Sequence, residues 1–573
     1  MQWTLMSVIA AILADLETST IGTRSRLAGE LVGVQVLRAT VERVARAERI
    51  DAVHVLCPQD QLERCGAILE DTPSALHAVN AGPSPWQPVT RCARKWSLDG
   101  WRGGIGGSTC FDEYTDCRLL EGLLKAVRAD WVLSVPSAGP LFDPGLADAM
   151  IERRLAAGDD VQLAFTQAPP GLAGVLLDAA LVRELAEKNV PLGWLFSYQP
   201  DNPRKDLLFQ SSCHEVPALL RYSTGRLIAD TDRSMQRLAD LLHTHRAPDL
   251  ETTGRWLINR DAMHTEPLPR EIEIELTTDD PFPDALLRPR GERVGRRGPI
   301  NTELVTRVVT ELAGFDDALV VLGGFGDPLR HPLFCEILAA IRSHERNGRR
   351  LYGLAVRTAG IDLTDELIEA MIVAEVDVLN VVLDAWSPEL YTALNAPVRM
   401  AETAVSRNSA PAVTSRTAPN LHSVVESIDR VARIRERRGS AAPIVVPEMT
   451  KARENVHELN AFYDGWIRRV GAATIAGHSH FAGQCMDRGV IHMAPPSRYP
   501  CRRLAQRCLV LADGRVAVCD QDFGGLHTVG SLHEHSLEEV WLGPEFERIR
   551  ESHRAGRFDP TPLCTACEEW HRP

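Results

Sequence analysis

Long apolar runs, net positive charge and repeats of fixed period are all missing from this chain of 573 residues. The opening "MQWTLMSVIAAILA" is too short for a membrane span and has no basic flank ahead of it, as a secretion signal would. Asp15 follows at once, so the stretch reads as a buried first strand. A formal net charge of −14 argues against a protein that coats nucleic acid or anionic membrane. The basic run "RPRGERVGRRG" (288–298) is a local exception, read either as a solvated loop or as a grip on phosphate or carboxylate. No cysteine lies between Cys213 and Cys335, although the chain has 13 in all. Six of them (Cys485, Cys501, Cys508, Cys519, Cys564 and Cys567) crowd the C-terminal tail. The expected location is cytoplasmic, where clustered cysteines suggest metal more than disulfides.

The length calls for two to four domains, and the overall class is a multidomain α/β protein. Residues 1–245 alternate strands such as "SVIAAILA", "AVHVLC" (52–57) and "DWVLSVPS" (130–137) with helices such as "LLEGLLKAV". Residues 246–270 lose periodicity and read as a linker. A second α/β series occupies 271–480. Its strands are "EIEIEL" (271–276), "ALVVLGG" (318–324), "LYGLAVRT" (351–358), "VLNVVLD" (378–384), "PIVVPEM" (443–449) and "GAATIAG" (471–477). Six strands with helices between them fit a partial or full βα barrel. Residues 398–420 read as a flexible insertion, and 481–573 form the cysteine-rich tail.

In the tail, Cys501 and Cys519 stand in a C-x12-G-x4-C arrangement through Gly514. "LADGRVAVC" is a hairpin turning at Asp513-Gly514, a preferred tight-turn pair. Its return brings the two cysteines towards a common site, and the CxxC of Cys564 and Cys567 supplies two more thiolates. Four thiolates suit a tetrahedral zinc or a cubane cluster, and spacing alone does not choose. The stretch "C…LADGRVAVCDQDF…VGSL…SLEEVWLGPEFERIR…PLCTACEEW" resembles the SPASM domain, an auxiliary-cluster module of radical SAM enzymes. That resemblance implies one [4Fe–4S] cluster on Cys501, Cys519, Cys564 and Cys567. Cys485 and Cys508 read as unliganded thiols.

The middle series resembles a radical SAM barrel. The first strand is present as "EIEIELTT", but the loop after it, "DDPFPDALLRPRGERVGRRGPI", lacks the C-x3-C-x2-C triad that leaves one iron open to S-adenosylmethionine. Asp279 and Asp280 stand about where the first cysteine belongs, and carboxylates do not replace three thiolates on a cubane. "LGGFGDPLRHP" (322–332) resembles the glycine-rich strand end that meets the methionyl amine, with Asp327 in the glutamate position. "AVRTAG" (355–360) resembles the strand ending in Thr-Asn-Gly. The resemblance implies cofactor contacts at Gly323, Gly324, Gly326, Asp327 and Thr358. The missing triad puts S-adenosylmethionine itself in doubt. A tight strand-to-helix turn explains the same glycines without a cofactor.

The N-terminal series resembles the sugar-nucleotidyltransferases, which have a Rossmann-like GT-A fold. Its loop "GTRSRLAG" carries Gly22, Arg24 and Arg26, which imply a cradle for nucleotide phosphates. The position of the family's metal-binding Asp falls near Ser137 or Ala138, neither a suitable ligand. Asp230 and Asp232 of "RLIADTDRSMQRL" match the later acidic segment. Three functions follow as expectations. The first is an iron–sulfur protein of radical SAM/SPASM type, acting on a peptide or saccharide with a redox or radical SAM partner. The second is a non-catalytic binding scaffold with a structural cluster or zinc. The third is an N-terminal sugar-nucleotide transferase. Neither nucleic acid nor membrane is an expected partner.

Overall fold

The computed structural model describes residues 6–80, 86, 115–157, 161–202, 212–221, 223, 225–346, 349–350, 353–395, 420–491 and 494–572. The glycine-rich stretch 95–113 and nearly all of the insertion 398–420 lie outside them. Contacts divide the chain into two units, Met1–His264 and Thr265–Pro573. Among the described residues, no helix is long and apolar enough to cross a membrane.

The first unit is built on a seven-stranded sheet. Its strands are β1 (Val8–Leu13), β2 (Ala52–Pro58), β3 (Ser74–Val79), β4 (Trp131–Val135), β5 (Leu163–Thr166), β6 (Val175–Asp178) and β7 (Cys213–His214), in the order β3-β2-β1-β4-β6-β5-β7. β1 lies parallel to β2 and β4, with Ile9 opposite Ala52 and Val132. A central parallel strand is covered on both faces, which is why "VIAAIL" is apolar throughout. Its alternate residues feed two cores, Val8, Ala10 and Ile12 on one side and Ile9 and Ala11 on the other.

Most of the stretch that reads as a linker is a helix, Leu250–Met263. Asp249 caps it by accepting the Thr252 N–H at 2.7 Å. Among its described apolar side chains only Leu257 is fully buried, so its sequence carries little of the 3.6-residue pattern.

The second unit carries β8 (Glu271–Glu275), β9 (Leu319–Gly323), β10 (Gly353–Thr358), β11 (Val378–Val382), β12 (Ile444–Lys451), β13 (Thr474–Gly477), β14 (Arg507–Val510), β15 (Arg515–Ala517) and β16 (Thr528–Ser531). They form one sheet in the order β13-β12-β11-β10-β9-β8-β14-β15-β16. The six strands β8 to β13 are all parallel and run in sequence order. Their neighbour β14 comes from the tail and pairs parallel with β8, Glu271 opposite Arg507. The tail hairpin forms as its sequence implies. Leu509 faces Ala517, Val510 faces Val516, and Gly514 takes the left-handed φ of +79° that the turn needs.

β8 alternates strictly. Ile272 and Ile274 enter the main core, whereas Glu273 and Glu275 point to the opposite face of the sheet. Trp541, fully buried in the tail, packs edge-on against Phe546 and donates its indole N–H to Glu266 O at 2.9 Å. Trp541→Ala is expected to destabilise the second unit by about 3–5 kcal/mol. Trp541→Phe should cost about 1–2 kcal/mol, through the lost hydrogen bond and the smaller ring. Urea melts of the two variants check the ranking.

Candidate metal centre

Cys501, Cys519, Cys564 and Cys567 line one cavity in the tail, and none is in a disulfide. The four come from three local devices. Cys501 precedes the short helix Arg503–Gln506, and Cys519 follows the hairpin. Cys564 and Cys567 sit on and just after the one-turn helix Pro562–Ala566, capped by Thr561, whose hydroxyl accepts the Cys564 N–H at 3.1 Å. Cys567 Sγ accepts the Glu569 N–H at 3.3 Å. The thiols share the cavity without converging on a point. Among the described residues, no three His, Cys, Asp or Glu side chains gather as a single ion needs. Burial pushes all four thiols up, that of Cys567 to about 11.

The surroundings fit an anionic, sulfur-ligated group. Arg498, Arg503 and His553 line the same cavity, and Arg498 Nε, Arg503 Nε and His553 Nε2 are buried with no hydrogen-bond partner among the described residues. Burial, helped by the Arg498 charge, pushes the His553 imidazole down to about 4, so it is neutral. Sequence reasoning missed these three residues. The signal was there for one of them: Arg503 lies two residues from Cys501. Cys508 is buried on β14 at a second cavity, and Cys485 sits in a small apolar cluster with Phe325 and Phe523.

The positions expected to meet S-adenosylmethionine are arranged differently. Asp327 is buried and its carboxylate already accepts three donors. These are the Leu329 N–H at 3.1 Å, the Thr358 hydroxyl at 2.8 Å and the Ala359 N–H at 2.9 Å. It thus ties the end of β9 to the end of β10. Burial, and then the Asp280 charge, pushes it up to about 6. Gly324 has φ +82°, and a Cβ there would stand 2.6 Å from the Glu275 Cβ. At Gly326 a Cβ would stand 2.2 Å from Thr277 O. These two glycines are demanded by close chain packing, as a tight turn requires; Gly323 sits at the end of β9 beside Glu273.

The cysteine-free loop is held by buried ion pairs. Asp280 pairs with Arg290 at 2.9 Å, Arg288 with Asp384 at 3.3 Å and Arg297 with Glu275 at 2.7 Å. Glu275 also accepts the Phe325 N–H at 3.2 Å and the Ala512 N–H at 3.1 Å. Of the five arginines read as an anion grip, Arg288, Arg290 and Arg297 are therefore spent on carboxylates of the chain. Arg293 and Arg296 are exposed. A triad cluster has neither thiols nor free donors here, so the residues present do not fit one.

In the first unit the expected segments do meet. Thr23 Oγ1 donates to Asp230 O at 3.3 Å, and the Ala229 N–H donates to Ala138 O at 2.8 Å. Their charges are paired, however. Arg26 holds Asp232 at 2.8 Å, and Asp230 is buried against Arg226. Arg24 is exposed.

Residues 501–568 match the model of the SPASM family, described as an iron-sulfur cluster-binding domain. A Treponema pallidum (strain Nichols) protein described as uncharacterized is 23% identical over 320 residues, spanning 53% of this chain and 79% of that one. Among solved structures, Streptococcus suis SuiB bound to precursor peptide SuiA overlaps with a TM-score of 0.38 at 11% identity, over 68% of this chain and 89% of that one. BtrN in complex with AdoMet and 2-DOIA gives 0.32 at 14% identity, over 52% and 92%. A cytidylyltransferase from Leptospira borgpetersenii gives 0.33 at 13% identity, over 44% and 93%.

Two outcomes follow for the middle positions. Arg297→Ala leaves Glu275 as an uncompensated buried charge and is expected to cost about 3–5 kcal/mol, read as a lowered urea midpoint. Asp327 has its carboxyl raised above the unfolded value of about 3.9, so the folded state keeps its proton longer. Stability is therefore expected to fall by on the order of 2–3 kcal/mol as pH rises from about 4 to about 6. Urea melts across that window should show the fall in the native chain and a flatter profile in Asp327→Asn.

Proposed function

We propose that this chain is an iron–sulfur protein of radical SAM/SPASM type whose tail holds one [4Fe–4S] cluster through Cys501, Cys519, Cys564 and Cys567. The observation that carries the reading is the coincidence of two independent facts. These four cysteines line one cavity, and they fall within the stretch that matches an iron-sulfur cluster-binding domain. Such a cluster supplies one-electron transfer, or an open iron for a substrate atom when a ligand is displaced. The chain itself contributes the thiolates, the apolar packing that excludes water from them, and the unpaired N–H groups around them.

The middle domain keeps its sheet but not the triad, and its loop is fastened by Arg290, Arg288 and Arg297. It acts in this reading as a binding platform for a peptide or saccharide, while a separate redox or radical SAM protein delivers the radical chemistry. In the first unit, the meeting of Thr23, Ala138 and Asp230 supports a nucleotide-binding role over a metal-dependent transfer. The acidic residues there are already engaged by Arg26 and Arg226.

Metal and sulfide analysis of anaerobically reconstituted protein tests the reading. About four irons and four sulfides per chain are expected, lost in Cys564→Ser. About eight irons would restore a second cluster and autonomous radical generation. One zinc without iron would make the tail a structural knob. Incubation with S-adenosylmethionine and dithionite is expected to yield no 5′-deoxyadenosine.

A further inference from the structure

The three unpaired nitrogens around the four-cysteine cavity share a pattern. Arg498 donates Nη2 to Cys564 O at 2.7 Å and lies over the rings of Phe558 and Trp570. Arg503 donates Nη1 to both oxygens of Asp520 at 2.6 Å. His553 Nδ1 accepts the Cys501 N–H at 3.3 Å, so its own hydrogen is on Nε2. Each side chain is thus fixed by a cysteine or by the residue next to one, and each keeps one buried N–H without a partner among the described residues. A buried unpaired N–H costs about 1–3 kcal/mol, and interiors seldom keep one without a reason. All three belong to side chains that line a single cavity, and a sulfur-rich group held there would supply acceptors beside them.

The Arg503–Asp520 pair has a second position of note. Arg503, Cys519 and Asp520 also line the neighbouring cavity, whose far wall is Glu271 and Glu273 of β8. The pair is therefore the partition between the four thiols and the sheet of the middle domain.

We infer that Arg498, Arg503 and His553 are a donor shell for the sulfurs of the tail cluster, and that the Arg503–Asp520 pair sets its reduction potential. The inference rests on the cluster reading above. A [4Fe–4S] core with four thiolates carries about two net negative charges and gains one more when a low-potential donor gives it an electron. A guanidinium beside it favours the reduced form, and a carboxylate opposes it. N–H groups aimed at sulfur act in the same direction as the guanidinium.

The test is an EPR-monitored redox titration of the reconstituted full chain, with dithionite and mediators. R503Q is expected to move the midpoint to more negative potential, and D520N to move it the other way. Each shift should be about tenfold in the reduction equilibrium, or about 59 mV for one electron. R503K, which keeps the charge, should recover most of the R503Q shift. If R503Q does not load iron, D520N still carries the test with the opposite sign. Fully loaded variants with unmoved midpoints would overturn the donor shell alone. Native protein that takes up zinc, or no iron, would overturn the cluster reading beneath it.

Discussion

The second unit depends on one buried carboxylate. Glu275, at the end of β8, is wholly inaccessible and receives two donors from Arg297 and one each from Phe325 and Ala512. Those donors belong to the cysteine-free loop, the glycine turn after β9 and the tail hairpin. Arg297 extends the joint by donating to Val294 O and Phe523 O. Removing two charges from water is costly, and a buried pair is tolerated only when its remaining hydrogen-bonding capacity is filled. Here it is filled by three chain segments at once. The left-handed Gly324 follows from this, because no side chain fits between the turn and Glu275.

The unit thus has two polar centres of opposite character. At Glu275 and Asp327, carboxylates have full sets of donors from the chain itself, and the hydrogen bonds join strand ends. Around the four cysteines, one N–H each of Arg498, Arg503 and His553 has no acceptor among the described residues, and burial pushes the thiols up. The first arrangement is finished without a ligand. The second is not, and this contrast supports placing the proposed cluster in the tail.

Much of this was legible in the sequence. The apolar strands of both sheets announce themselves because a parallel strand buries both faces. The Asp513-Gly514 turn fixes the tail hairpin, the spacing around Gly514 singles out Cys501 and Cys519, and the CxxC adds Cys564 and Cys567. Other features were not legible. The helix Leu250–Met263 escaped because one fully buried leucine makes no period. The arginines of 288–298 look like a solvated or anion-binding run, yet three of them face inward. Their partners Asp280, Glu275 and Asp384 are chosen by the fold, and no local pattern names them. Arg498 and His553 escaped for the same reason: their link to the cysteines is made in space.

The pairing of β14 with β8 has a consequence for the order in which the chain is made. The tail strand completes an edge of the sheet that was synthesised long before it, and Ala512 meets Glu275 from 237 residues away in sequence. Until the ribosome has delivered that strand, β8 presents an open edge, and Glu275 has its arginine but not its last backbone donor. Contacts of such separation form late and slowly, and an unpaired edge invites misassembly meanwhile. Closure of the sheet therefore waits for the tail strand, which is flanked in sequence by Cys501 and Cys519.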